Sequence, residues 1–228
     1  RGLLARQVRL IWQVKDGKQQ FCVDSPGAVK DSTFTLDGSL IVTGDDTGEV
    51  LIIDASTGEV QDRFNYKVPI RDVNVSPNGD SLAIARDDGR ITVINLKTRE
   101  FDFELYTYGS LNVTAFSPNG AWIAAGSNTG SVTLWNLNDG RIVAGPVHRG
   151  PVFDIAFSPD GRKFVSGGAD SVAFLSLTTT GQKLFTITNE NWVEDVTFSP
   201  DGSWFVTASD DFRVRVWDTN TGQERLRL

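Results

Sequence analysis

Apolar and polar residues alternate along the chain in short stretches of about five residues, a strand-like length, broken by clusters of Gly, Asp, Asn and Pro. Around residue 160 the pattern shows in full. Val152, Ile155 and Phe157 lie on an alternating stretch, Pro159-Asp160-Gly161 follows, and Phe164-Val165-Ser166 resumes the alternation. A proline with fixed φ, then residues that tolerate positive φ, predicts a tight turn between two strands. A second turn comes next in every unit: Gly44-Asp45-Asp46, Arg86-Asp87-Asp88-Gly89, Gly126-Ser127-Asn128, Gly168-Ala169-Asp170 and Ser209-Asp210-Asp211. After it stands a β-branched run such as Val132-Thr133-Leu134-Trp135 or Val214-Arg215-Val216-Trp217. A third turn carries Gly58, Gly140, Gly181 or Gly222, and a more amphipathic strand closes the unit. No stretch of roughly 10–12 residues keeps helical spacing, so the pattern predicts an all-β chain.

The units are in phase. Their first turns end at Gly38, Gly79, Gly120, Gly161 and Gly202, each 41 residues after the last. Phe34, Val75, Phe116, Phe157 and Phe198 precede those turns at the same interval. Four short strands with tight turns fill such a repeat. The segments His148-Arg149-Gly150-Pro151-Val152, Phe157-Ser158-Pro159-Asp160-Gly161 and Val214-Arg215-Val216-Trp217-Asp218 carry a more specific pattern, with Trp135-Asn136 a near match to its final dipeptide. The earlier units hold Ile53-Asp54 and Ile94-Asn95 there, and unit four is read as holding Leu175-Ser176. These residues resemble the WD-repeat (Trp-Asp) β-propeller family over essentially the whole chain. The resemblance implies blades of four antiparallel strands around a central channel. Family blades are often tied by a His, Ser/Thr, Asp and Trp set, and no unit here holds all four. Unit five has Thr207, Asp211 and Trp217 with Asn189 in the His place, while unit four has His148 without the Trp. The expectation is therefore that these blades rest more on apolar packing than on polar ties.

Counted back by five periods, the Trp217 column reaches Trp12, which predicts the third strand of a further unit with its fourth strand near Phe21-Cys22-Val23. The chain then divides as one propeller domain over 1–228: a partial blade 1–23, in which residues 1–7 supply at most a short second strand, and repeats at about 24–65, 66–106, 107–147, 148–188 and 189–228. A start in mid-blade and the absence of Met are read as marks of a piece of a longer protein. By resemblance the ring is seven-bladed, with a six-bladed ring as the alternative.

Charge narrows the partners. Against 22 Lys and Arg stand 29 Asp and Glu, a net charge of −7, whereas phosphate contact needs a basic face. Nucleic acid is thus not expected. A single cysteine gives no sign of an oxidising compartment, and neither a signal peptide nor a membrane-length apolar run is present. The expectation is a cytoplasmic protein without membrane contact.

Candidate chemistry is thin. His148, the one histidine, has no metal or nucleophile motif beside it and reads as a structural tie. The pairs Asp45-Asp46, Asp87-Asp88 and Asp210-Asp211 recur at one hairpin, which turn preference explains. Asp31, Asp72, Asp154 and Asp195 form a column broken by Val113, and bonding to neighbouring backbone amides is its expected role. The sequons at Asn74 and Asn112 fall within first strands, where a glycan has no room. Cys22 reads as a small buried apolar residue. No enzyme signature, cofactor motif or zinc spacing is found.

By resemblance, partner contacts on the narrow face lie four and six positions before the Phe/Val of each unit. Minus four gives Lys30, Arg71, Asn112, Phe153 and Glu194; minus six gives Ala28, Pro69, Ser110, Pro151 and Trp192; the hairpins add Asp45, Asp87, Asn128 and Asp210. The two sets share strand parity and should point the same way. Lys30 and Arg71 make a basic arc, while Phe153, Trp192, Glu194 and Asp210 set aromatics beside carboxylates. The function read from this is a non-catalytic scaffold that docks a peptide or partner protein presenting Lys or Arg to Trp192 and Glu194, beside further domains of one parent chain. The alternative is an enzyme or small-ligand or metal module with its site in the channel.

Overall fold

The computed structural model describes residues 7–12 and 17–228. The alternating runs all become strands. β1 (Gln7–Trp12) and β2 (Gln19–Ser25) pair antiparallel. The first four-stranded sheet holds β3 (Val29–Phe34), β4 (Leu40–Asp45), β5 (Glu49–Asp54) and β6 (Val60–Asn65). The second holds β7 (Ile70–Val75), β8 (Ser81–Arg86), β9 (Arg90–Asn95) and β10 (Phe101–Tyr106). The third holds β11 (Leu111–Phe116), β12 (Trp122–Ser127), β13 (Val132–Asn136) and β14 (Ile142–Ala144). The fourth holds β15 (Val152–Phe157), β16 (Lys163–Gly168), β17 (Val172–Leu177) and β18 (Lys183–Thr188). The fifth holds β19 (Val193–Phe198), β20 (Trp204–Ser209), β21 (Arg213–Asp218) and β22 (Glu224–Arg227). No helix is present among the described residues, hence none long and apolar enough to cross a membrane. Residues 1–6 and 13–16, which take in the second strand expected in the partial blade, lie outside the described residues.

In each sheet the strands run in chain order, and the first strands of successive sheets lie against one another: β3 on β7, β7 on β11, β11 on β15, β15 on β19. The sheets therefore stack face to face around a shared inner edge, and the core lies between them. Val42, Ile52, Ile70 and Val73 fill the first gap, Ala83, Ile91, Leu111 and Ile123 the second. Leu134, Val152, Ile155 and Phe164 fill the third, and Val165, Leu175, Val193 and Phe205 the fourth. Each large apolar side chain buried there contributes roughly 1.5–3 kcal/mol. Close approach depends on a column of small residues in the second strands, Gly44, Ala85, Gly126, Gly167 and Ala208, again spaced by 41. A Cβ on Gly44 would stand 2.4 Å from Ile70 Cγ2, and one on Gly126 would stand 2.5 Å from Val152 Cγ1. The next sheet's inner strand occupies that space.

Two expectations change. Cys22 is exposed, because Phe21 and Val23 turn inward on β2 and alternation sends the residue between them outward. In the fourth sheet Ser176 pairs with Phe164 as Trp217 pairs with Phe205. Ser176 alone thus takes the tryptophan's place, and Leu175 stands one residue before it.

Candidate functional site

Every first strand carries a bulge at the same point. On β3, Val29 faces Asp45 and Asp31 faces Gly44, so Lys30 is the extra residue. Arg71, Asn112, Phe153 and Glu194 are the extra residues of β7, β11, β15 and β19. A bulge kinks a strand and re-aims its side chains. Here the bulged residue and its successor from all five sheets line one cavity of about 520 Å³. Strand parity alone would turn one member of each pair away, and the bulge is what that argument missed.

The successors of the bulged residues join the sheets. Asp31 Oδ2 accepts the Val73 N–H at 2.9 Å, Asp72 Oδ2 the Thr114 N–H at 2.9 Å, and Asp154 Oδ2 the Val196 N–H at 2.9 Å. Each bond reaches 42 residues along the chain. Val113 has no carboxylate to offer Ile155, and the Ile155 N–H turns to Asp154 Oδ1 at 2.8 Å instead. Asp154 thereby covers two amides. Asp72 is further bonded by Asn74 Nδ2 at 2.7 Å and by the Thr114 hydroxyl. Burial and the neighbouring Asp31 charge push its carboxyl up to about 7. Burial, with the nearby Asp195 carboxyl adding to it, pushes Asp154 up to about 6. Among the described residues no group of acidic, His or Cys side chains is arranged to hold a metal.

Around this mouth the basic and acidic arcs differ in kind. Lys30 Nζ lies 3.5 Å from Asp46, and Arg71 Nε donates to Asp87 Oδ1 at 2.8 Å, where the Ser110 hydroxyl also bonds. The expected basic arc is therefore neutralised by its own hairpins, because each hairpin carboxylate sits directly above the basic residue. Asn112 Nδ2 donates to the Val152 carbonyl at 3.1 Å and ties the third sheet to the fourth. On the other side, Trp192 remains 47% exposed with its ring tilted against Phe153, centroids 5.9 Å apart. The Asp210 N–H donates to the Trp192 carbonyl at 3.0 Å. The side-chain carboxylates of Glu194 and Asp210 have no hydrogen-bond donor or ion-pair cation among the described residues. Burial, then the Asp210 charge, raises the Glu194 carboxyl above its ordinary range. Lys30, Arg71, Asn112, Phe153 and Glu194 share the two cavities, Trp192 joins through Phe153, Asp210 through the Trp192 carbonyl, and Asp87 through Arg71.

Beneath the rim, polar ties run within the fourth and the fifth sheets. His148 Nδ1 lies 2.9 Å from Asp170 Oδ1, and Nε2 lies 2.9 Å from Ser166 Oγ. Burial outweighs the pull of Asp170 and lowers the His148 pKa, so the ring is neutral near pH 7. A carboxylate only accepts, so Nδ1 carries the proton and Nε2 accepts from Ser166. The order Ser-His-Asp is that of a hydrolase triad, but Ser166 is fully buried within its sheet. In the fifth sheet Trp217 Nε1 donates to Thr207 Oγ1 at 3.0 Å, Thr207 to Asn189 Oδ1 at 3.0 Å, and buried Arg215 to the same oxygen at 3.1 Å. Substituted residues thus rebuild the tie within this sheet, while the gaps between sheets are filled by apolar side chains. Asn74 and Asn112 are both engaged in inter-sheet bonds at half-buried positions.

Compared with known families, residues 104–136, 142–175 and 181–218 each match the model of the WD domain, G-beta repeat. A comparison with curated proteins gives no match.

Proposed function

We propose that this chain, which belongs to the WD-repeat family, is a non-catalytic interaction scaffold whose narrow face docks a peptide or partner-protein loop. WD-repeat domains generally mediate protein–protein interaction. The observation that carries the finer reading is the half-exposed Trp192 leaning on Phe153 beside the unpaired carboxylates of Glu194 and Asp210. A Lys or Arg side chain laid on Trp192 gains a cation–π contact and a charge-assisted bond to Glu194. Glu194 is held close to Asp210, and an incoming cation relieves their repulsion. Lys30 and Arg71 are already paired, so they frame the mouth rather than recruit an acidic ligand. A cytoplasmic setting, a seven-bladed ring and attachment to further domains belong to the same reading, supported by composition and family resemblance.

Pull-down with an array of Lys- and Arg-bearing peptides tests it. The double substitution Trp192→Ala with Glu194→Ala is expected to abolish capture and to leave the melting temperature nearly unchanged. Unaltered capture, or loss of the fold, would refute this placement.

A further inference from the structure

Each four-stranded sheet ends in an outer strand with no further strand beyond it. Backbone groups on such an edge are unpaired, and the edge accepts another strand unless its side chains discourage it. In the fourth sheet the Asn189 N–H donates to the Ser171 carbonyl at 2.8 Å, and the register runs on as Val172 with Thr188, Ala173 with Ile187 and Phe174 with Thr186. Antiparallel bonds alternate, so Ile187 turns its N–H and C=O inward to β17, while Thr186 and Thr188 turn theirs outward. Arg63 on β6, Glu104 on β10 and Arg227 on β22 likewise turn outward. There the Tyr66, Thr107 and Leu228 N–H groups donate to Gly48, Gly89 and Val214.

Residues spaced by 41 share the place of Thr186: Arg63, Glu104, Gly145 and Arg227. Charge guards three of these edges. Arg63 pairs with Glu49, Glu104 with Arg86 and Arg90, and Arg227 with Glu224. The third sheet's outer strand stops at Ala144, and Pro146 beyond it has no N–H to offer. The outer strands of the other four sheets also carry a bulged residue, which is Gln61, Asp102 and Arg225 on β6, β10 and β22 but Leu184 on β18. In the two-stranded pair, β2 has Asp24 in the place of Thr188. Among the four-stranded sheets, β18 alone keeps a full-length edge with neither charge nor proline at these positions. Its run Leu184-Phe185-Thr186-Ile187-Thr188 is apolar, aromatic or β-branched throughout, with Thr186 and Thr188 exposed and Ile187 buried.

We propose that the β18 edge pairs antiparallel with β18 of a second copy of this chain, about a two-fold axis at Thr186. A two-fold sets a residue opposite itself, so the same arrangement on β6, β10 or β22 would bring two like charges face to face. On β18, Thr186 meets Thr186, Phe185 meets Ile187 and Leu184 meets Thr188. Lys183, the one charged residue of β18, meets Asn189 of the second copy rather than its own counterpart. Cross-strand pairs of β-branched and aromatic residues stabilise a sheet, and here they match in both directions at once. The two fourth sheets join into one continuous sheet. Bonds over so short an edge make a weak dimer that forms as concentration rises. The surface lies on the outer edge of its sheet, apart from Trp192, and does not depend on the narrow-face reading.

Sedimentation equilibrium of the 228-residue chain, with amide hydrogen exchange at the same concentrations, tests the pairing. The parent is expected to dimerise as its concentration approaches about 1 mM, with slowed exchange at the Thr186 and Thr188 amides. Thr186→Arg and Thr186→Glu should each stay monomeric and keep the parent's melting temperature, because this side chain is exposed. An equimolar mixture of the two variants should dimerise, since the axis then sets opposite charges face to face at position 186. Trp192→Ala should dimerise as the parent does. The proposal falls if the parent remains monomeric at about 1 mM. It falls equally if Thr186→Arg associates as the parent does, or if mixing the two variants restores no dimer.

Discussion

Replacing Asp72 by Asn should stabilise the protein, and more so as pH rises. Asp72 accepts three donors on Oδ2, two of them from Thr114 across the sheet boundary, with Asp31 close by. Its carboxyl is raised from 3.8 to about 7 by burial and by the Asp31 charge. A raised carboxyl pKa means that the folded state holds the proton more tightly than the unfolded state. The stability that this provides is fully present below pH 3.8 and is lost as pH climbs through about 7. At about 1.4 kcal/mol per pH unit the whole interval is worth at most about 4 kcal/mol. The cavity mouth admits solvent, and the higher effective dielectric reduces this to roughly 1–3 kcal/mol. Asn keeps an acceptor for Thr114 and turns its amide N–H groups toward Asp31. Urea unfolding of parent and variant, from about pH 4.5 to about pH 8, measures the effect, and the advantage of Asp72→Asn should grow by roughly 1–3 kcal/mol across that range. Asp154, raised to about 6, acts in the same direction in both proteins and cancels in the difference. His148 cancels too, although its lowered pKa works oppositely and removes stability as pH falls below 6.5. A difference that does not vary with pH, or a variant less stable at about pH 8, would refute the account of Asp72 as a strained carboxylate.

Further expectations rest on single sites. Gly120 and Gly130 both have positive φ, but a Cβ meets nothing within 4 Å at Gly120 and lies 2.2 Å from the His148 carbonyl oxygen at Gly130. Gly120→Ala should therefore cost only about 1–2 kcal/mol of backbone strain, and Gly130→Ala clearly more, read as denaturation midpoints; equal costs would contradict the contact. His148→Ala leaves Ser166 without a partner, removes one of the three donors on Asp170, which keeps the Arg149 and Val172 N–H groups, and opens space beside Phe174, whose ring centroid is 4.5 Å away. The loss should be roughly 2–4 kcal/mol by urea unfolding, and a loss below about half a kcal/mol would show that the tie is idle.

Fold class was legible because strand alternation, turn chemistry and the 41-residue period are local properties, written repeatedly along one chain. Phe153, Trp192 and Glu194 are picked out by the contact positions that the family resemblance implies, carried across by place in the repeat. What those residues do was not legible. That Lys30 and Arg71 are neutralised depends on hairpins 16 residues further on folding back above them. The bulge that brings Asp72 and Arg71 to the same cavity leaves no mark in an unbroken alternation, since it appears only as a mismatch between paired strands. Asp154 covering for Val113 is a relation between side chains far apart in the chain. The sequence by itself determined the strands, the turns and their repetition, because those depend on near neighbours. Only the tertiary structure decided which charges are paired within the protein and which stay unpaired, because that balance depends on hairpins and strands far apart in the chain.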